Sequence, residues 1–99
     1  MIDENAIRNK AKAVIAEIIR QSPGDRLEGK VRLFKAFYFA HVYFSRSTAK
    51  SSLTGWPIVK MPMGPGIDHS EELLEELVEE GVISIEEVDI GPYPSFRYS

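Results

Sequence analysis

The sequence predicts an α+β domain: three main helices, the central one aromatic, with a short edge strand and a C-terminal β-hairpin in a winged-helix-like order. Three observations predict it. Residues 27 to 46, LEGKVRLFKAFYFAHVYFSR, hold six of the ten aromatic side chains of the chain. Flanking stretches at 4 to 21 and 68 to 80 repeat apolar residues at the three-and-four spacing of an amphipathic helix. Beyond Gly81 the pattern turns to strand, turn and strand, the outline of a wing. Ninety-nine residues are about one domain of chain, so a single core is expected.

In the first helix, residues 4 to 21, Ile7, Ala11, Val14, Ile15, Ile18 and Ile19 form the apolar stripe, and Asp3 or Asn5 can cap it. Ser22-Pro23-Gly24 ends it, because Pro cannot continue a helix and Gly supplies a left-handed turn. Asp25-Arg26-Leu27-Glu28 has the capping-box spacing and is expected to open the second helix. From Leu33 to Phe44 only Lys35 and His41 are not plainly apolar. A helix apolar nearly all round is expected at the centre, wrapped by the others. The polar stretch SRSTAKSSLTG is expected to be a mobile loop. In WPIVKMPMGPG, Pro57, Pro62 and Pro65 exclude a central strand, leaving an edge strand from Ile58 to Met61 and a tight Gly-Pro-Gly turn. That strand is expected to join the C-terminal hairpin in one small sheet.

Asp68, with Glu71 three residues on, is expected to cap the third helix, which buries Leu73, Leu74, Leu77 and Val78 and ends at Gly81 as C′ residue. Its other face is carboxylate: Glu71, Glu72, Glu75, Glu76, Glu79 and Glu80. Strands are expected from Val82 to Val88 and from Ser95 to Tyr98, joined by a turn over 89 to 94.

A net charge of −3 conceals a division. Residues 1 to 67 carry eleven Lys and Arg against five acids, and residues 68 to 99 carry one Arg against ten acids. Such asymmetry speaks of partners rather than of fold. The absence of Cys excludes disulfides and thiolate chemistry, and fits a reducing compartment. The start, MIDENAIRNK, has no apolar signal core, and the aromatic helix is too short and too interrupted to span a bilayer. A cytoplasmic protein that does not enter membranes is expected.

No catalytic constellation emerges. A metal site would need His41 and His69 to meet a carboxylate of the third helix; the simpler reading is a partly buried His41 among aromatics and an exposed His69. Ser45, Ser47, Thr48, Ser51, Ser52 and Thr54 lack a nucleophile elbow and are read as loop solvation. Gly64-Pro65-Gly66 lacks the lysine of a phosphate-binding loop and is read as a structural turn. Neither a cofactor nor a metal is expected. A winged-helix DNA regulator is the alternative, acting through Arg8, Lys12, Arg26, Lys30 and Arg32, because the third helix would set six Glu against phosphates.

Leu33-x-Lys35 followed by Phe37-Tyr38-Phe39-Ala40-His41, and then Val59-Lys60-Met61-Pro62-Met63-Gly64-Pro65, together resemble the aromatic helix, polar loop, strand and Gly-Pro turn of the Panacea antitoxin family. The resemblance covers residues 30 to 67. Where the family carries Trp and Tyr before Gly-Pro, this chain carries Met61 and Met63. The resemblance implies a non-enzymatic, phage-associated protein that binds and neutralises a toxin encoded beside it, or delivers it to a protease. Lys60, Met61, Met63, Gly64 and Pro65, with Glu72, Glu75, Glu76 and Glu79, are the expected contact surface for a protein partner. A homodimer is a further expectation about assembly.

Overall fold

The computed structural model describes residues 4–48, 53–62, 64–90 and 93–99. Helix α1 spans Glu4–Gln21, and its expected stripe is the one that packs, with Ala11, Ile15 and Ile19 buried. The stop signal acts as anticipated: Ser22 Oγ–H donates to the Ile18 carbonyl at 2.8 Å, and Pro23–Asp25 form a 3-10 turn with Gly24 at φ +71.

The next residues depart from expectation. Leu27–Glu28 form a two-residue strand, β1, and helix α2 begins only at Lys30 and runs to Thr48. Asp25 sits at φ +56 in the 3-10 turn and does not cap α2. The cause is long-range pairing: β1 lies antiparallel to the last strand, Leu27 opposite Tyr98 and Glu28 opposite Arg97. Glu28, expected in a capping box, accepts from the Arg97 guanidinium at 2.9 Å instead. Gly29 at φ +94 turns the chain out of β1, donating its N–H to the Phe96 carbonyl (2.9 Å), while its own carbonyl accepts the N–H of Leu33.

Strand β2, Ile58–Met61, is the expected edge strand, but its partner is new: the Gly-Pro-Gly segment extends as β3, Gly64–Ile67, in a separate two-stranded ribbon. Every strand of a two-stranded ribbon has a free edge, where a proline is tolerated, so Pro65 pairs opposite Lys60 without breaking a central ladder. Gly66 leaves room for the Met61 side chain of the facing strand, whose Sδ and Cγ lie where a side chain at 66 would begin, so a larger residue there would push that methionine aside.

Helix α3 spans Ser70–Glu79. It opens on His69 in the left-handed region (φ 50), not on Asp68, whose carboxylate faces His69 Nδ1 at 3.0 Å. Its end follows expectation: Val82 N–H bonds the Leu77 carbonyl and Gly81 N–H that of Val78, the Schellman pattern with Gly81 at φ +74. Strands β4 (Ile85–Ile90) and β5 (Tyr93–Tyr98) form the hairpin. Ile90 pairs with Tyr93, and the connection at 91 and 92 lies outside the described residues.

The three-stranded sheet has the order β1-β5-β4. A short strand after α1 thus closes onto the hairpin that follows α3, the arrangement of a winged helix, with the β2–β3 ribbon inserted between α2 and α3. One buried cluster unites Ala11, Ile15 and Ile19 of α1, Leu33, Phe34 and Phe37 of α2, Leu73, Leu74 and Leu77 of α3, and Ile67, Ile83 and Tyr98. No helix among the described residues is long and apolar enough to cross a membrane.

Helix α2 is not wrapped. Leu33, Phe34, Phe37 and His41 face the core, but Tyr38, Phe39 and Tyr43 are 39%, 62% and 76% exposed. Only the inner half of the aromatic rod is scaffold. Val78, expected in the stripe of α3, is also exposed.

Candidate functional site

The basic and acidic halves of the sequence meet across the seam between α1 and α3. Arg8 and Lys12, one turn apart on α1, face Glu72 and Glu76 on α3 and Glu80 at its C-cap. Arg8 bonds Glu76 and lies 3.9 Å from Glu72, while Lys12 reaches Glu80 and approaches Glu76 at 3.7 Å. Lys12 is buried, its stem packed between the helices and its ammonium delivered to the seam. Lys30 faces Glu71 at 3.8 Å, and Arg97 lies between Glu28 and Glu86. Three of the five cations named for nucleic-acid binding, Arg8, Lys12 and Lys30, are therefore engaged by this chain's own glutamates. Arg26 and Arg32 remain exposed beside Pro23 and Leu27.

The same pairing divides the expected acidic contact face. Glu72 and Glu76 serve α1, whereas Glu75 and Glu79 stay exposed and form no ion pair among the described residues.

Trp56, two residues ahead of β2, is a junction. Its indole N–H donates to the Asp68 carbonyl at 2.6 Å, tying the start of β2 to the start of α3, and the Arg8 guanidinium lies 5.4 Å from its ring centre. A cleft of about 450 Å³ opens there, with Glu4, Asp68, His69 and Glu72 around it. Arg8 already supplies a cation to both the ring and the carboxylates.

Thr54 is not loop solvation. It is 4% exposed, and its Oγ1 lies 2.7 Å from His41 Nε2 while accepting the Trp56 N–H at 3.0 Å. His41 Nδ1 lies 2.8 Å from the Phe37 carbonyl, which can only accept. The chain of bonds therefore has one consistent direction for a neutral ring: Nδ1–H donates to Phe37, and Nε2 accepts the Thr54 hydroxyl proton. Phe37 packs on the ring at 4.5 Å between centres. This threonine and histidine tie the body of α2 to the segment that leads into β2, below the surface. His69 is exposed and far along the chain at the opening of α3; among the described residues no three His, Asp or Glu side chains gather as metal ligands.

The expected hairpin surface is present in part. Lys60 and Met61 are exposed at the turn end of β2, Gly64 and Pro65 are half-buried opposite them, and Met63 lies outside the described residues. The expected loop of 45 to 55 is shorter than the polar composition suggests: 45 to 48 complete the last turn of α2, 49 to 52 lie outside the described residues, and 53 to 55 lead into Trp56. The ribbon lies against α2 through β3, with Lys35 of the helix beside Gly64. What sequence reasoning missed is the outer face of α2 itself, where Phe39 and Tyr43 project and Tyr38 packs its ring against Phe39 at 5.7 Å between centres. A signal for it was available: Arg32, Lys35, Phe39, Tyr43 and Arg46 recur at helical spacing and place three cations on one side of a helix that was read as polar on none.

Fold and surface together define a small winged-helix-like α+β domain with an inserted β-ribbon and an exposed aromatic helix face. No family model matches the chain, no curated protein matches it and no solved structure matches it.

Proposed function

We propose that the chain is a non-enzymatic, cytoplasmic protein-binding module of the antitoxin kind, which holds a toxin encoded beside it or hands that toxin to a protease. The observation that carries this reading is the exposure of Tyr38, Phe39 and Tyr43 along one helix. Large aromatic side chains left in water at this density are characteristic of protein interfaces, where their burial supplies much of the binding energy. The adjoining Lys60, Met61, Gly64 and Pro65 extend the surface, and the resemblance of residues 30 to 67 to the Panacea family points to the same class of activity. Affinity purification after co-expression with the product of the adjacent reading frame tests it. A stoichiometric complex, together with relief of any growth arrest that product causes, supports the reading; recovery of this chain alone counts against it.

The order β1-β5-β4 favours a second reading, a winged-helix DNA regulator. Against it stand Glu71, Glu72, Glu75 and Glu79 on the exposed side of the would-be recognition helix, and the engagement of Arg8, Lys12 and Lys30 by glutamates. A mobility-shift titration at two salt concentrations separates the two: DNA binding through phosphates weakens steeply with salt.

A further inference from the structure

Arg32, Lys35, Phe39, Tyr43 and Arg46 follow one another on α2 at steps of three, four, four and three residues, and all five are exposed. At 1.5 Å per residue the stripe is about 21 Å long. Its centre is aromatic, with the exposed Tyr38 ring beside Phe39, and the exposed Val31 lies next to Arg32 at the first end. Its ends are basic. Helix α2 contains no Asp or Glu, and none of Arg32, Lys35 and Arg46 pairs with a carboxylate among the described residues, in contrast with Arg8, Lys12 and Lys30. An apolar centre with unneutralised charge of one sign at both ends has the anatomy of a protein interface, a desolvated core inside a charged rim.

We propose that this stripe docks an amphipathic segment of a partner protein whose apolar side chains cover Phe39 and Tyr43 and whose Asp or Glu side chains meet Arg32 and Lys35 at one end and Arg46 at the other. The proposal rests on the protein-binding reading above and names the chemistry of the partner. A second copy of α2 does not fit: antiparallel pairing would set Arg32 and Lys35 against the Arg46 of the other copy, and parallel pairing would set each cation against itself. A nucleic acid would use the cations but leave the apolar flank of Val31 and Tyr38 uncovered.

The test uses the full chain and fluorescence anisotropy with three probes. These are a synthetic helix of about five turns with a Leu and Phe stripe and Glu at both ends, the same helix with Lys in place of every Glu, and oligo(dT). The Glu-ended helix is expected to bind at least about tenfold more tightly than the Lys-ended one, and to lose at least about tenfold with Phe39→Ala or Arg46→Glu. The triple variant Arg32→Glu, Lys35→Glu, Arg46→Glu is expected to reverse the preference between the two helices, a gain that misfolding cannot produce. Equal binding of the two helices, no binding of either, or tighter binding of oligo(dT) overturns the proposal. Self-association in sedimentation velocity that Phe39→Glu abolishes overturns it as well. Co-purification of a partner that survives Phe39→Glu with Tyr43→Glu would leave the protein-binding function standing and remove this surface from it.

Discussion

His41 and Thr54 depend on each other more than on water. Removing the hydroxyl with Thr54→Val strips His41 Nε2 of its donor and the Trp56 N–H of its acceptor. A buried polar group left without a partner costs about 1–3 kcal/mol, so Thr54→Val and His41→Leu are each expected to destabilise by that order in urea unfolding. The double variant is expected to cost less than their sum, because the second change removes the group that the first leaves orphaned. At Tyr98, burial raises the phenol above its ordinary value of 10.0. The folded state then holds the proton more tightly than the unfolded state. This contribution to stability is complete below the unfolded value and is lost as pH rises through the folded one. Tyr98→Phe is expected to flatten that alkaline loss, read as the slope of unfolding free energy against pH above about 10.

The seam between α1 and α3 belongs to the scale of elements. Glu76 serves two cations, Arg8 and Lys12, whereas Lys12 is one cation whose stem already packs in the seam. Lys12→Met, which keeps the stem, is expected to change stability by less than about 1 kcal/mol, as for partly exposed ion pairs generally. Glu76→Ala is expected to cost more, because it removes the carboxylate that both cations share and leaves Arg8 only Glu72 and Lys12 only Glu80; thermal unfolding at low and high salt checks both, the difference shrinking with salt. A second element-scale prediction concerns the junction of β1 and α2. Gly29 holds φ +94, and although a methyl group there would meet nothing within 4 Å, the backbone conformation itself disfavours a side chain. Gly29→Ala is expected to destabilise by about 1 kcal/mol or more, measured by chemical unfolding. How far these elements could be read beforehand follows the range of the forces that make them. The bounds of α1 and the glycine stop of α3 rest on periodicity and local backbone bonds, and both were legible. Strand β1 rests on Tyr98 and Arg97, some seventy residues away, and nothing in Leu27-Glu28 announces it. Strand β3 is Gly-Pro-Gly-Ile, a turn by composition, and becomes a strand because Ile58 to Met61 and the flank of α2 lie beside it.

For the whole molecule, the charge division of the sequence becomes an internal complement. Most of the acidic surplus of α3 meets the basic surplus of α1 and the start of α2, so net charge alone misstates what a partner would encounter. Part of the charge left over is clustered: Arg32, Lys35 and Arg46 on one face of α2, and Glu75 and Glu79 on α3, form no ion pair among the described residues. Exchanging Phe39 or Tyr43 for a polar residue is accordingly expected to leave the melting temperature within a few degrees of wild type, since those rings bury little, while Phe37→Ala is expected to cost about 3–5 kcal/mol. Differential scanning calorimetry of the three variants separates scaffold from surface. Exposure at the ribbon end, Lys60 and Met61, was legible from the prolines and methionines around it, but the exposure of the outer half of α2 was hidden by its very hydrophobicity, which reads as core in a sequence.

What the chain determined by itself was the class and order of its parts. Three helices, an edge strand and a terminal hairpin follow from periodicity, proline and glycine, all of which act within a few residues. Tertiary structure alone decided which strand joins which sheet, which glutamates are engaged by cations, and which side of the aromatic helix faces water. Those outcomes depend on what stands opposite each surface, and the pattern of apolar residues along α2 is the same whether a neighbour covers its outer face or solvent does.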